Sequence, residues 1–360
     1  MDRAILLPTL VFVAAALLAQ EPKPAPADDG FTPLFNGKNL DGWVNVNCHP
    51  NTFFVKDGTL ITTGNPTGFL RTDRQYENFI LEFDWMHIEK ERMANSGLFV
   101  WGDPLPAVGT PYTRGIEVQV LINFAPKDGW ATSHGDIFSI WGARCVPDRP
   151  HPMGYERCLP SEERVKGAGQ WNHYTVTAND GVIKLAVNGK EVSGVSKCNP
   201  RKGYLALESE GAECHFKNIR IKELPSTNPK PDEVAKIWQG HVSIFNGLDL
   251  TGWTTDEGAW KVQGGKLLAL GKARLQSQQR FGPCELIFDW KVPAKAELTE
   301  FSIQVGGTPA KVSLPAGMKP GGWHRQTIRN EFGPAAPIAF QPIPGLEIMN
   351  IFVRELKEKK

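Results

Sequence analysis

An all-β chain built as two β-sandwiches is what this sequence predicts, and three observations predict it. The first is a nine-residue phrase written twice: Phe35-Asn-Gly-Lys-Asn-Leu-Asp-Gly-Trp43 returns as Phe245-Asn-Gly-Leu-Asp-Leu-Thr-Gly-Trp253. Internal repetition reports architecture before any single motif is read. The second is a series of short, often alternating apolar runs, Phe79 to Trp85, Gly97 to Trp101, Gly115 to Ile122, Tyr174 to Ala178, Val182 to Asn188, Tyr204 to Ser209 and Phe216 to Ile221. Turn signals such as Asp57-Gly58, Asn179-Asp-Gly181 and Asn188-Gly189 separate them. The third is the absence of any long helical period, a turn at Pro231 to Trp238 apart.

The chain opens with Arg3, an apolar run from Ala4 to Leu18, and Ala19 before polar Gln20, the pattern of a secretory signal peptide over residues 1–20. Residues 21–30, rich in Pro and Ala, form a disordered lead-in. A first sandwich then spans 31–224, a Pro-rich linker 225–237, and a second, truncated sandwich 238–357. The two copies keep register. Val55-Lys-Asp-Gly-Thr-Leu60 matches Val262-Gln-Gly-Gly-Lys-Leu267, Phe79-Ile-Leu-Glu-Phe-Asp-Trp85 matches Cys284-Glu-Leu-Ile-Phe-Asp-Trp290, and Phe216-Lys-Asn-Ile-Arg-Ile-Lys-Glu-Leu224 matches Ile348-Met-Asn-Ile-Phe-Val-Arg-Glu-Leu356. What lies between Trp101 and Gly169 has little or no counterpart in the second copy. Shared segments read as scaffold, and the copy-specific stretch as the place for a site, because functional residues concentrate on loops carried by a rigid frame.

Alternation assigns faces. In Gly115-Ile-Glu-Val-Gln-Val-Leu-Ile122 the aliphatic residues Ile116, Val118, Val120 and Ile122 share the core face, so Glu117 and Gln119 look onto the open side of a sheet. The same parity puts Leu98 and Val100 inside, with Asn95, Phe99 and Trp101 opposite. Aromatic rings, amides and a carboxylate lining one groove suit a sugar, whose C–H faces stack on rings while its hydroxyls need donors and acceptors. Trp43 and Trp253, present in both copies, read as core, as does His173 in its strand as framework.

Forty basic and thirty-nine acidic residues leave a formal net charge of +1 with no Lys/Arg run, so the footprint of a nucleic-acid binder is missing. After the leader no stretch is long and apolar enough for a membrane span, which points to a secreted or periplasmic protein. Six cysteines in an exported chain allow fifteen pairings if all are bridged; Cys145 with Cys158 and Cys198 with Cys214 are the favoured pairs, each closing a short loop. No cysteine pair has zinc-ribbon spacing.

The opening Phe-Asn-Gly-Lys-x-Leu-x-Gly-Trp, Asn95-Ser-Gly97, Glu117-Val-Gln119, Trp171-Asn172 and Phe216-Lys-Asn-Ile-Arg220, in that order, resemble the DUF1080 family, also called the 3-keto-disaccharide hydrolase domain, over roughly residues 31–224. The resemblance implies a concanavalin A-like jelly roll with a sugar-binding face, in exported bacterial proteins of which some cleave glycosides already oxidised at C3. The chain departs from the family pattern at Glu208, where many members have Gln, at Glu210, where many have His, and in an insert carrying Ser133-His-Gly-Asp136, Trp141 and His151.

Retaining glycosidases of this fold place two carboxylates on a Glu-x-Asp-x-x-Glu strand. The nearest string here, Glu82-Phe-Asp-Trp-Met-His87, lacks the second acid, and the second copy has Ile287 in place of Glu82. A 3-keto sugar offers another route: its carbonyl acidifies the C2 proton and makes the C1 oxygen a β leaving group, so elimination followed by hydration gives net hydrolysis. That chemistry needs a base, stabilisation of an enolate and an acid. Glu117 is the predicted base. His134 and Asp136 are candidates for the acid or, with Glu117, for a divalent-cation site that polarises the ketone. Asn95, Arg114, Gln119, Asn172 and Glu208 are predicted to hold hydroxyls, with Trp101 or Trp141 as the stacking platform. The rival expectation is a lectin-like module that binds glycan through the same groove without turnover.

Overall fold

The computed structural model describes residues 29–125, 132–297 and 299–356, so the predicted signal peptide and most of the lead-in lie outside the described residues. No helix among the described residues is long and apolar enough to cross a membrane. The described chain is strands, turns and a single 3₁₀ turn at Pro231–Glu233, and every strand pairing is antiparallel.

In the first sandwich a nine-stranded sheet runs Arg144–Pro147, Lys190–Asn199, Val182–Val187, Asn172–Asn179, Phe79–His87, Cys214–Glu223, Thr59–Thr62 and Phe53–Lys56, with Thr32–Pro33 also on Cys214–Glu223. A seven-stranded sheet runs Arg157–Cys158, Ile137–Ile140, Gly115–Ile122, Ala94–Gly102, Tyr204–Ser209, Gly68–Thr72 and Trp43–Val46. Phe79, Leu81, Phe83 and Trp85 alternate inward to meet Ile116, Val118, Val120 and Ile122 from the facing sheet, the period-2 pattern read from the sequence. The second sandwich repeats the plan with a six-stranded and a five-stranded sheet around Trp253, Trp260, Phe288, Trp290 and Phe340. This is the all-β, jelly-roll architecture in two copies.

The repeated phrase folds the same way twice because its polar residues satisfy the same backbone groups. The Asn36 side-chain oxygen accepts from Lys38 N at 2.8 Å, and that of Asn246 accepts from Leu248 N at 2.8 Å. Trp43 Nε1 donates to Leu34 O at 3.1 Å, and Trp253 Nε1 to Ile244 O at 3.1 Å. Gly42 and Gly252 both lie in the left-handed region, at φ +84° and +86°, where only glycine rests without strain.

Three expectations are corrected. Trp101 belongs to the core: it is fully buried, donates Nε1 to Glu77 O at 2.7 Å and packs edge-on against Phe79. The reason is a bulge. Phe99 faces Ala206 and Gly102 faces Tyr204, so one extra residue sits in this strand, Trp101 takes φ +57°, and the parity reverses there. Next, the outer face of the seven-stranded sheet is not open. Val46, Phe69, Phe99 and Ala206 on that face pack with Phe352 and Ile287 of the second sandwich and with Leu105, Tyr112 and Ile140. Every residue of Gly115–Ile122 is therefore buried, Glu117 at 6 % exposure and Gln119 at 3 %. Finally, all six cysteines are free buried thiols, so neither Cys145 with Cys158 nor Cys198 with Cys214 is bridged, although Cys145 neighbours both Cys158 and Cys198 inside the core.

Residues 31–360 form one compact unit, and the joint between the sandwiches is specific. Asp289 is fully buried; it accepts from Arg325 Nε at 2.7 Å, from Asn350 Nδ2 at 2.6 Å and, across the joint, from Gly109 N at 3.0 Å. Asn350 also donates to Thr110 O at 2.9 Å and accepts from Asn47, while Arg325 donates to Pro106 O at 2.9 Å. Gly109, at φ +73°, lies flat against Trp323, whose side chain stands 2.2 Å from where a Cβ would sit. The second sandwich thus grips the backbone of the Pro106–Thr110 loop of the first.

Candidate functional site

On the outer face of the seven-stranded sheet, parity brings Glu117, Gln119, Asn95 and Glu208 together from three neighbouring strands. Gly97 lies between Glu117 and Glu208. A Cβ there would be 2.9 Å from Glu117 Oε1 and 2.9 Å from Glu208 Oε2, so the two oxygens are no more than twice that distance apart and a larger residue would displace the carboxyls. Glu210 joins them from the end of the Glu208 strand. It accepts from Asn95 Nδ2, and Asn95 Oδ1 accepts from Gln119 Nε2. Thr132 Oγ1 closes this chain on Gln119 Oε1 at 3.3 Å. Tyr112, on the loop gripped by the second sandwich, donates its hydroxyl to Glu210 Oε1 at 2.7 Å and faces all three carboxylates.

The electrostatics follow from burial. Desolvation, then the charge of Glu210, raises the Glu117 carboxyl well above the usual carboxylate range; Arg157 opposes this, since a guanidinium favours the anion. Burial raises Glu208 in the same direction, with Glu210 and Glu117 adding to it, and no cation counters them. Among the described residues no N–H or O–H donor reaches either Glu208 oxygen, and only the Glu210 carboxyl is placed to share a proton with it. Burial and the neighbouring acids thus favour its protonated form. The Tyr112 hydroxyl is raised as well, by burial first and by the carboxylates second. The arrangement sets two raised carboxyls side by side, of which Glu117 has a guanidinium favouring its anion and Glu208 has acidic neighbours favouring its neutral form.

Of the residues predicted from sequence, Glu117, Gln119, Asn95 and Glu208 are assembled here. Asp136 lies behind them, fully buried and bonded to Arg157 Nη1 at 2.6 Å; burial pushes it up to about 6 against the pull of that guanidinium. It orients Arg157 rather than facing the cluster's open side. His134 is not assembled: its Nδ1 bonds Leu121 O at 2.7 Å and its Nε2 is 3.6 Å from Glu163. The cation site sketched from Glu117, His134 and Asp136 is therefore not formed, and among the described residues no group of three or more His, Cys, Asp or Glu side chains is arranged for a metal ion. Asn172 is in the other sheet, accepting from Lys166 N at 2.7 Å and from Asn188 Nδ2 at 3.0 Å, and serves the backbone there. Arg114 makes a two-bond pair with Asp103 at 3.0 and 3.1 Å. Trp141 is 53 % exposed and stacks on Tyr112, centroids 6.3 Å apart at 11°. Trp101, buried by the bulge, is no platform.

Sequence reasoning missed Glu210, Tyr112 and Arg157 as site residues. Glu210 shares the parity of Glu208 and could have been found by extending that strand by two residues. Tyr112 and Arg157 sit in loop and short-strand segments with no periodic signal. A cavity of about 870 Å³ beside Gln239, Ser277 and Arg354 on the second sandwich holds none of these groups.

The β-sandwich that gathers these buried acids, amides and the stacked aromatic pair on one sheet face is a concanavalin A-like jelly roll. Residues 30–222 match the 3-keto-alpha-glucoside-1,2-lyase-like domain, and the chain belongs to that family. Among solved structures it is similar to two proposed glycosyl hydrolases from Parabacteroides distasonis. One is 23 % identical, covering 54 % of this chain and 94 % of that one with a TM-score of 0.41; the other is 22 % identical, covering 54 % and 99 % with a TM-score of 0.40. It is also similar to the carbohydrate-binding module CBM66 from Bacillus subtilis, 13 % identical over 51 % of this chain and 96 % of that one, with a TM-score of 0.37. No curated protein matches the chain.

Proposed function

We propose that the first sandwich cleaves a 3-keto-disaccharide or related 3-keto glycoside by elimination and hydration, with Glu117 as base and Glu208 as acid. The observation that carries this reading is the pair of buried carboxyls flanking Gly97, both raised, of which only Glu117 has a guanidinium supporting its charge. Glu117 takes the C2 proton and electrons pass through C2 to the C3 oxygen; the enolate then collapses to re-form the C3 carbonyl and a C1–C2 double bond, and the C1–O bond breaks as Glu208 protonates the departing oxygen. Water then adds at C1 of the enone, and C2 regains a proton. Tyr112, Asn95 and Gln119 supply the hydrogen bonds for the enolate and the ring hydroxyls. With Glu117 and Glu208 nearly closed off, a sugar reaches them when the Tyr112 hydroxyl leaves Glu210 to bond the incoming ring. The pattern from Arg3 to Ala19 supports export of the protein.

A second reading, direct displacement at C1 of an unoxidised glycoside, has one observation in its favour: the bound on the Glu117–Glu208 separation admits the roughly 5–5.5 Å that a nucleophile and an acid/base require. NMR of the purified protein with a 3-keto-disaccharide and, separately, with its unoxidised parent decides between them. The proposal expects cleavage of the keto form alone, abolished in Glu117→Ala. Cleavage of the parent would favour displacement, and binding of either sugar without cleavage would make the protein a lectin-like module.

A further inference from the structure

Between the sandwiches, beyond the Tyr112–Trp141 stack, lies a cleft of about 630 Å³. We propose that this cleft is a carbohydrate subsite, holding the sugar ring that leaves from the unit bound at Glu117 and Glu208. The proposal rests on the reading of the carboxyl cluster given above. It assigns the second sandwich a part in substrate binding.

Four observations carry it. The cleft's volume lies within the range of about 300–1,000 Å³ usual for small-molecule sites, and such sites favour the boundary between domains. Its wall is continuous with the cluster. Trp141 lines it and stacks on Tyr112, whose hydroxyl bonds Glu210, so a two-ring ligand with one ring over the carboxyls would bring its second ring to the indole. Trp141 is held at φ +50°, a conformation that bulky residues rarely adopt and that persists where the surroundings fix it; the turn closed by Ala143 N on Ile140 O does so, and the result is a half-exposed indole. Finally, the surroundings are those a sugar uses. Val108 and Ile237 expose aliphatic surface, Ile237 to 73 %, beside the indole of Trp238 and the Arg114–Asp103 pair.

Neither sandwich makes the cleft alone. The Pro104–Val108 wall belongs to the first and is held by Asp289, Arg325 and Asn350 of the second, while Ile287 and Arg325 supply the opposite lining. Trp238 is fixed in place by its backbone N on the Tyr204 hydroxyl at 2.9 Å and by Arg71, whose guanidinium is 4.7 Å from its ring. A preformed wall of this kind lowers the ordering cost of binding.

The test compares a one-ring probe, methyl 3-ketoglucoside, with a two-ring probe, 3-ketotrehalose, by titration calorimetry on the full-length protein and on Trp141→Ala and Ile237→Asp, all carrying Glu117→Gln so that neither probe is cleaved. Ile237 is so exposed that its replacement does not threaten folding. The proposal expects the two-ring probe to bind the Glu117→Gln parent at least ten-fold more tightly, and each cleft variant to collapse that ratio toward one. If both probes bind and the ratio does not move in either cleft variant, the cleft is no subsite and the cluster reading stands. If neither probe binds the Glu117→Gln parent, the cluster reading fails and the subsite with it.

Discussion

Asp84 in the first sandwich and Asp289 in the second occupy the same place in the duplicated fold, yet one faces solvent and the other builds a joint. Each accepts from an asparagine in the left-handed region on the adjacent strand: Asn218 on Asp84 and Asn350 on Asp289, both at 2.6 Å, at φ +52° and +54°. Each has a cationic or ring partner directly across the neighbouring strand, His173 for Asp84 and Arg325 for Asp289. The difference lies one step away. Glu82 and Arg220 pair across strands beside Asp84 at 2.7 Å, and in the second copy the same register holds Ile287 and Phe352. Replacing an ion pair by two apolar side chains turned a wet sheet face into one that packs on Phe69 and Phe99. The comparison teaches that duplication kept the polar framework and changed what it grips: in the second copy Asp289 and Asn350 take the Gly109 N–H and the Thr110 carbonyl, which fixes the loop bearing Tyr112.

The largest effect should come from the copy that has the site. Glu117→Gln is expected to lower cleavage by about 10²–10⁴-fold, the usual worth of a positioned base. Glu300→Gln, on the outer sheet of the second sandwich, should leave cleavage as it is. Equal losses in steady-state rates would break the division of labour between the copies.

Next come the two aspartates. Asp289→Ala strands Arg325, Asn350 and the Gly109 N–H in a buried place and should destabilise the protein by about 3–5 kcal/mol. Asp84→Ala, beside a His173 side chain that is 43 % exposed, should cost about 1 kcal/mol or less. Denaturant midpoints compare them, and a larger loss at Asp84 would contradict the account. An effect of the same order as that of Asp289→Ala is expected on reversing the duplication's change: Ile287→Glu with Phe352→Arg removes two apolar contacts worth up to about 1.5–3 kcal/mol each when fully buried. Hydrogen exchange of the Ala107–Thr110 amides should then quicken, and unchanged protection would show that the apolar pair does not hold the joint.

The smallest effect is in pH. Glu208 is raised above the ordinary 4.5 by burial and by its acidic neighbours, so its contribution to stability is present below the ordinary value and is lost as pH rises toward the raised one. Glu208→Gln removes that loss. The variant should match the unaltered protein near pH 4 and melt a few degrees higher near pH 8, by roughly 2–4 °C per kcal/mol for a domain of this size. A variant that melts lower at pH 8 would show that Glu208 is charged and stabilised in the folded state.

Much of this was legible in the sequence, and the exceptions have physical causes. The repeat, the strand alternation of Phe79 to Trp85 and the outward parity of Glu117 and Gln119 are local patterns, and local patterns fix sheets and faces. Trp101 was misplaced because a single bulge residue reverses parity without leaving a compositional mark. The supposed openness of the Glu117 face failed because its cover comes from residues far along the chain, Ile287 and Phe352, whose apolar character reads from sequence as core. His134 fell away because its turn aims the ring at Leu121 O, and Tyr112 and Arg157 joined the site through loop geometry that no periodicity encodes.

The most direct measurement of the central claim is the fate of the C2 hydrogen when a 3-keto-disaccharide is cleaved in D₂O, followed by NMR against an enzyme-free control for spontaneous enolisation. Elimination by Glu117 predicts deuterium at C2 of the released 3-keto sugar, with neither cleavage nor enzyme-dependent exchange in Glu117→Gln. Cleavage that leaves hydrogen at C2 would contradict it, and would make Glu117 and Glu208 a displacement pair acting at C1.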